Sequence, residues 1–138
     1  MAAAGGVLAT LGCGSETGVE TGPDAPTGST TTCGNGLCLD LTDPRNQALT
    51  AVGGALVVEA PADTLIVIRI SATAVAALTD ICTHARCGVS YSASTMKLVC
   101  PCHGAEYTLT GTVVKGPAMR PLKTYVAVLV NNVITITL

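Results

Sequence analysis

The chain has 138 residues, 49% of them apolar, and contains neither Phe nor Trp. This length supports one domain with a modest core, and a core limited to Val, Leu, Ile and Ala favours thin β-sheet layers. The formal net charge of -2 argues against nucleic acid or an anionic membrane surface as the main partner. Seven cysteines in so short a chain indicate metal ligation, an oxidising compartment, or both.

Charge is divided unequally between the two halves of the chain. Residues 1–63 contain seven acidic residues and one basic residue, whereas residues 64–138 contain two acidic and six basic residues. Two interpretations remain open. The asymmetry is either ordinary surface variation beside an acidic tail, or a basic face for an acidic partner.

The N-terminal segment, residues 1–12, is small and apolar and leads directly to Cys13. It is too short to cross a bilayer, which needs about 20 apolar residues, and it is more typical of the end of a secretory signal. Residues 10–13, TLGC, resemble a loose bacterial lipobox, in which the cysteine is lipidated after cleavage. We therefore predict a signal or lipobox-like segment over residues 1–13 with Cys13 as the lipidation candidate. The alternative is an unprocessed end.

Residues 14–50 are predicted to form a flexible tether that includes a small disulfide loop. Gly, Thr, Ser, Pro and acidic residues dominate residues 14–32, which cannot bury enough apolar surface to become ordered. Cys33 and Cys38 then enclose a Gly-Asn-Gly turn. No His or carboxylate is placed to complete a zinc site there, so the spacing favours a disulfide, which implies export from the reducing cytosol.

Residues 51–138 are predicted to form one mostly β domain. Short runs of β-branched or small residues alternate with turns, and this pattern is typical of strands joined by tight connections. The predicted strands are residues 56–59, 64–70, 74–78, 89–92, 97–99, 112–114, 124–130 and 133–138. The last two are predicted to form a hairpin across Asn131-Asn132. After residue 13, no stretch reaches membrane-spanning length without a charge or a turn.

Six soft or borderline metal ligands lie within residues 82–103, and both histidines of the chain are among them. The pattern is Cys82-x-His84, a spacer of fifteen residues, then Cys100-x-x-His103, with two further cysteines at 87 and 102. Structural zinc sites usually pair Cys with Cys and His with His, so loops that each mix one Cys and one His fit zinc poorly. Such loops suit a two-iron cluster in which one iron takes both thiolates and the other both imidazoles. A zinc site or disulfides alone remain the alternatives.

These loops resemble those of the Rieske [2Fe-2S] proteins. The resemblance implies that Cys82 and Cys100 bind the inner iron, that His84 and His103 bind the outer iron, and that the fold is an all-β, antiparallel sandwich with a small cluster-binding subdomain at about residues 81–121. It also implies a disulfide between Cys87 and Cys102, as in the subtype found in quinol-oxidising cytochrome bc complexes. Two further positions match: Pro117, in a proline-containing third loop over residues 116–121, and Tyr107, where the family has a tyrosine that donates to a ligand sulfur.

The implied ligand set has a direct electrostatic consequence. Two ferric ions and two sulfides carry +2, so two thiolates make the oxidised site neutral, whereas four would leave it negative; an electron is therefore added more easily. The family's potentials accordingly span roughly -150 to +300 mV, against about -400 mV for plant-type clusters. High-potential members carry a serine donor where this chain has Ala105. With Tyr107 retained and the serine absent, we predict an intermediate potential.

The resemblance implies one-electron transfer in an exported protein that is lipid-tethered if Cys13 is acylated. Its partner would be a redox protein, either a cytochrome or a quinol-oxidising complex, and membrane association would occur only through the N-terminus. Bc-type members have Leu-Gly where this chain has Ala85-Arg86, and a charged loop tip suits a greasy quinol pocket poorly. The alternatives are a respiratory-complex subunit, an oxygenase ferredoxin, and a structural zinc or disulfide module. No nucleophile with a base suggests that this chain turns over a substrate by itself.

Overall fold

The computed structural model describes residues 27–83, 87–117 and 120–138. Four groups of predictions therefore lie outside the described residues: those on the N-terminal segment with Cys13, on residues 14–26 of the tether, on His84 with the loop tip Ala85-Arg86, and on residues 118–119 of the third loop. The strands in chain order are β1 Thr31–Cys33, β2 Gly36–Asp40, β3 Ala55–Ala60, β4 Asp63–Arg69, β5 Val75–Thr79, β6 Ser90–Ser92, β7 Lys97–Val99, β8 Glu106–Tyr107, β9 Val113–Lys115, β10 Thr124–Val130 and β11 Val133–Thr137. A 3-10 helix spans Pro44–Thr50.

The pairings between these strands are antiparallel, and the strands form two sheets. The larger sheet has the order β1-β2-β11-β10-β5-β4-β3, and the smaller has the order β6-β7-β8-β9. The hairpin predicted between β10 and β11 is confirmed, because Val130 pairs with Val133 and both turn residues, Asn131 and Asn132, have positive φ. That backbone conformation matches the twist of the flanking strands, and asparagine tolerates it better than most residues do. The predicted all-β fold is confirmed.

The larger sheet folds back on itself at β10. The first two residues of β10 pair with β5, whereas Val126 to Val130 pair with β11. Leu39 and Ile134, from one side of this seam, share a fully buried core with Leu56 and Leu65 from the other side. Strands so far apart in the sheet order can share a core only if the two parts of the sheet face each other. The sheet therefore forms a sandwich.

The middle layer is built around β4. Its run Leu65-Ile66-Val67-Ile68 is completely buried, with Leu65 and Val67 in the sandwich core and Ile66 and Ile68 in a second core. A strand covered on both faces has a continuous apolar sequence rather than an alternating one. The second core joins this layer to the smaller sheet through Leu98 and Tyr107, and it also contains the two cysteines Cys82 and Cys100. The candidate metal loops are thus anchored in a packed interior.

The predicted tether is wrong for the described part of residues 14–50. β2 lies within the larger sheet and pairs along its length with β11, and Leu37, Leu39 and Leu41 are buried. Their alternation with outward-facing residues is the period-two pattern of a strand with one buried face. The high content of polar and small residues before Cys33 obscured this short signal. The domain therefore begins well before residue 51.

Asn46, in the 3-10 helix, holds the preceding segment in place. Its fully buried side chain accepts a hydrogen bond from the Ser29 amide at 2.7 Å and donates to the carbonyls of Ser29 and Asp40 at 2.9 and 3.0 Å. The helix begins after Asp43, whose carboxylate accepts from the Arg45 amide, as N-capping residues do. Across the described ranges, no helix has the length and apolarity needed to cross a membrane.

Candidate metal centre

Three loops around the smaller sheet hold the predicted site residues. The first loop connects β5 to β6, and it closes on itself where the Cys82 amide donates to the Cys87 carbonyl at 2.8 Å. The second connects β7 to β8 and is closed by the Cys100 amide donating to the Ala105 carbonyl at 2.7 Å. Gly104 in that loop has φ of 79°, a conformation that favours glycine. In each loop, the amide of a predicted cysteine ligand makes the hydrogen bond that closes the loop.

The four cysteines of these loops separate into two kinds. Cys87 and Cys102 form a disulfide that joins the two loops, with their Cα atoms 6.4 Å apart. Cys82 and Cys100 are unbridged and fully buried. The sulfurs of Cys87, Cys100 and Cys102 lie within 4.8 Å of one another, but two of these three are consumed by the disulfide, so this triad is unsuited to binding a metal ion. The pair available as thiolate ligands is Cys82 and Cys100.

On balance, the surroundings of Cys100 raise the pKa of its thiol. Burial raises the pKa of the Cys100 thiol, as does its hydrogen bond with Cys82, whereas the backbone amides of Cys102 and His103 lower it. Two amides directed at one sulfur stabilise negative charge there. The thiol therefore keeps its proton until a metal displaces it, and the two amides can then stabilise the resulting thiolate.

His103 lies three residues after Cys100, in the same loop, and is exposed. The second core encloses the cysteine pair, so the two predicted ligands of this loop differ in exposure: the cysteine faces the interior and the histidine faces solvent. This division fits a site with one inner and one outer metal position. His84, the other predicted histidine ligand, lies outside the described residues.

Two hydroxyl groups lie between Cys82 and the third loop. The Tyr107 hydroxyl is 3.3 Å from the Cys82 sulfur and 3.1 Å from the Thr83 hydroxyl, and Thr83 donates to the Arg120 carbonyl at 3.0 Å. Burial raises the pKa of Tyr107, so the phenol keeps its proton. When Cys82 is a thiolate it can only accept, so the single Tyr107 proton is donated to its sulfur, and the Thr83 proton is donated to the Arg120 carbonyl. Thr83 and Arg120 were not predicted as site residues, because a threonine beside a cysteine carries no sequence signal of its partner.

Replacing Tyr107 with Phe is expected to lower the reduction potential by about 60 mV, because the lost hydrogen bond stabilises the more negative, reduced state by about 1.4 kcal/mol more than the oxidised state. Thr83 keeps the Arg120 carbonyl as its acceptor, so the third loop should stay attached. Protein-film voltammetry measures the shift, and iron content checks that the cluster is intact. An unchanged potential at full iron content would contradict the assigned role of Tyr107.

The other predicted positions also lie in or beside these loops. Ala105 is fully buried at the end of the second loop, and its methyl group provides no hydrogen-bond donor there. Pro117 follows a cis peptide bond from Gly116 in the third loop and is exposed. Cys33 and Cys38 form the predicted disulfide, which closes the β1–β2 hairpin in the larger sheet rather than contributing to the site.

Asp80 is a charged group beside the first loop that the sequence did not single out. One of its carboxylate oxygens is buried and has no hydrogen-bond partner within the described part of the chain. Burial raises the pKa of Asp80 to about 6, opposed by the Val89 amide and supported by the nearby charges of Asp63 and Glu59. Asp80 is therefore a buried acidic group that holds its proton more firmly than an exposed carboxyl does.

Comparison with known proteins identifies the family of this loop arrangement. Residues 45–126 match the family described as the Rieske [2Fe-2S] domain. Among curated proteins, the chain is 52% identical over 46 residues to the chloroplastic cytochrome b6-f complex iron-sulfur subunit of Bigelowiella natans, covering 33% of this chain and 18% of that protein. It is 43% identical over 60 residues to the cytochrome b6-f complex iron-sulfur subunit of Cyanothece sp., covering 44% of this chain and 34% of that protein. The chain thus matches only about a third or less of the length of these relatives.

Solved structures with the same fold include a plasma membrane Rieske protein and a dioxygenase ferredoxin. The plasma membrane Rieske protein PetC3 of Synechocystis PCC 6803 superposes with a TM-score of 0.60 at 31% identity, covering 78% of this chain and 100% of that one. The ferredoxin of carbazole 1,9a-dioxygenase from Nocardioides aromaticivorans superposes with a TM-score of 0.57 at 21% identity, covering 63% and 86% of the two chains. The second likeness shows the fold alone.

Proposed function

The chain belongs to the family of Rieske [2Fe-2S] domains, and from this premise we propose that it is an exported one-electron carrier whose ligands are Cys82, His84, Cys100 and His103. The ligand assignment rests on the division of the four loop cysteines into a disulfide pair and a pair without a disulfide. Two are joined in a disulfide that clamps the loops together, and two are unbridged, buried and adjacent. Amide donors at Cys100 and a phenol at Cys82 match the needs of two thiolates.

The [2Fe-2S] cluster supplies reversible one-electron chemistry, and the chain supplies its electrostatic setting. Cys82 and Cys100 provide two negative charges in a site closed off by the second core. Tyr107 supports the added electron by donating to the Cys82 sulfur. His103 is exposed, so its imidazole would face solvent at the outer side of the centre. A proton kept on a ligating imidazole would offset part of the negative charge that reduction adds to the centre.

Replacing Ala105 with Ser is expected to raise the reduction potential by about 60 mV, since a hydroxyl donor at this buried position would favour the reduced state by about 1.4 kcal/mol. Voltammetry of both proteins measures the change. Combining Ala105→Ser with Tyr107→Phe is the control, because one donor is gained and one lost, and the potential should return close to the starting value. An unchanged or lower potential in the single variant would refute this account.

For the partner, we propose a redox protein, either a cytochrome or the other subunits of a quinol-oxidising complex. The complex is supported by the relatives from cytochrome b6-f complexes. Export is supported by the two disulfides, which favour an oxidising compartment. We further propose that any membrane attachment runs through the N-terminal segment, with Cys13 as the acylated residue. Mass spectrometry of the native N-terminus tests that assignment, and an unmodified Cys13 would exclude it.

The central test is spectroscopic. The purified protein should contain one [2Fe-2S] cluster per chain, and one-electron reduction should produce a paramagnetic signal that the oxidised protein lacks. A zinc-loaded protein, or one with no iron signal on reduction, would end the redox proposal. Isolation of the native protein then separates the two partner classes, because co-purification with cytochrome b subunits indicates a quinol-oxidising complex and isolation without them indicates a separate carrier.

A further inference from the structure

We infer that a groove on the cysteine side of the centre docks an acidic loop of the protein that exchanges electrons with it. The groove is formed by two adjoining hollows, of 460 and 280 Å³, which share Ala62, Asp63 and Lys123. We call this surface the cysteine-side groove. The inference rests on the proposed function for the partner's redox role, but not for the binding itself.

One half of the cysteine-side groove is cationic and reaches the candidate centre. Its wall includes Cys82, Thr83 and the exposed residues Arg120 and Lys123. Neither cation has an ion-pair partner among the residues that the structure describes, where the ion pairs are those of Arg45 with Asp43 and Lys97 with Glu106. Lys123 is held over the ring of Tyr125, 4.8 Å from its centroid. Both cations are available to a carboxylate from outside.

Asp63 also lines the groove, and its charge is already engaged. One oxygen accepts from the Thr79 hydroxyl and the Thr64 amide, each at 2.8 Å, and the other accepts from the Tyr125 hydroxyl at 2.6 Å. Three donors at one carboxylate stabilise its negative charge, and in the described part of the chain Asp63 forms no ion pair with Lys123. Within the described ranges, Arg120 and Lys123 therefore remain without an ion-pair partner beside the hydrogen-bonded Asp63, and an incoming acidic side chain can form ion pairs with both.

The other half of the groove is apolar and sets the kind of partner. Ala60, Pro61, Tyr125 and Leu138 line it, and Leu138 is 45% exposed. A small inorganic anion would use only the cationic half. A protein loop that places an acidic side chain between Arg120 and Lys123 and an apolar one against Leu138 would use both. Such a loop would also lie against the wall that contains the buried Cys82, whereas His103 faces solvent.

Methyl NMR of the oxidised, cluster-loaded protein tests this site, with the peptide acetyl-Leu-Asp-Glu-Leu-amide as the probe. Binding should shift the methyl signals of Ala62 and Leu138. The variant Arg120→Gln/Lys123→Gln should weaken binding about fivefold or more, because two partly exposed ion pairs are lost. The control variant Lys97→Gln/Lys115→Gln removes the same charge outside the groove and should bind nearly as well as the unmodified protein.

Several results would overturn the inference. Absent methyl shifts would show that the groove does not bind such a segment, and equal weakening in both double variants would reduce the effect to net charge. Equal shifts with inorganic phosphate would indicate a small-anion site, and binding of anionic vesicles in place of the peptide would indicate a membrane surface. Iron content and the paramagnetic signal of the same samples report on the proposed electron transfer separately, so a failure of one proposal is distinguishable from a failure of the other.

Discussion

Replacing Cys100 with Ser is expected to reduce cluster content about 100-fold or more. Changing a residue that only supports a metal ligand typically costs about 10- to 100-fold, and loss of a ligand itself should cost at least as much. The site offers a buried position and two amide donors suited to a thiolate, whereas a serine hydroxyl ionises far less readily and is a harder ligand. Visible absorption and iron content of the purified protein measure the result.

The matched control is Cys33→Ser/Cys38→Ser, which also removes cysteine sulfur but at the β1–β2 hairpin of the larger sheet. Its cluster content should equal that of the unmodified protein. If Cys100→Ser retained the cluster, or if the control lost it equally, the assignment of Cys100 as a ligand would be wrong.

Removing the disulfide between the loops in the variant Cys87→Ala/Cys102→Ala is expected to cost about 3 kcal/mol of stability. The bridge joins residues separated by 15 positions, and closing a loop of this length restricts the unfolded chain by about that amount. Both cysteines must be replaced, because either one alone would leave a free thiol within 4.8 Å of the Cys100 sulfur. Denaturant titration followed by the visible absorption of the cluster measures the loss.

Cys33→Ala/Cys38→Ala provides the comparison, since its bridge spans only 5 positions and should contribute about 2 kcal/mol. Only the Cys87/Cys102 variant should release the cluster at lower denaturant than it unfolds the larger sheet, as followed by circular dichroism. Coincident loss of both signals in that variant would show that the bridge stabilises the whole domain rather than holding the loops around the centre.

The chemistry of the centre follows from local features of the sequence. Two loops with one Cys and one His each limit the metal by ligand type and spacing, and these are local properties of the chain. Local patterns also predicted the strands of residues 51–138 except β8, and the Asn131-Asn132 hairpin, because alternation of side chains and turn chemistry act over a few residues. The two-residue strand β8 is too short to show an alternation of its own. The Cys33–Cys38 bridge is equally local, since its cysteines lie across one tight turn.

Tertiary structure decided what depends on distant partners. Leu37 and Leu39 are buried only because β2 pairs with β11, almost one hundred residues away, and three alternating leucines carry no record of that partner. Likewise the doubly buried run in β4 indicates burial without saying which two layers cover it. The groove beside Cys82 brings together residues from β4, the first and third loops and the C-terminus. Spacing along the chain specifies ligands within a loop, whereas the surface around them is set by how the sheets pack.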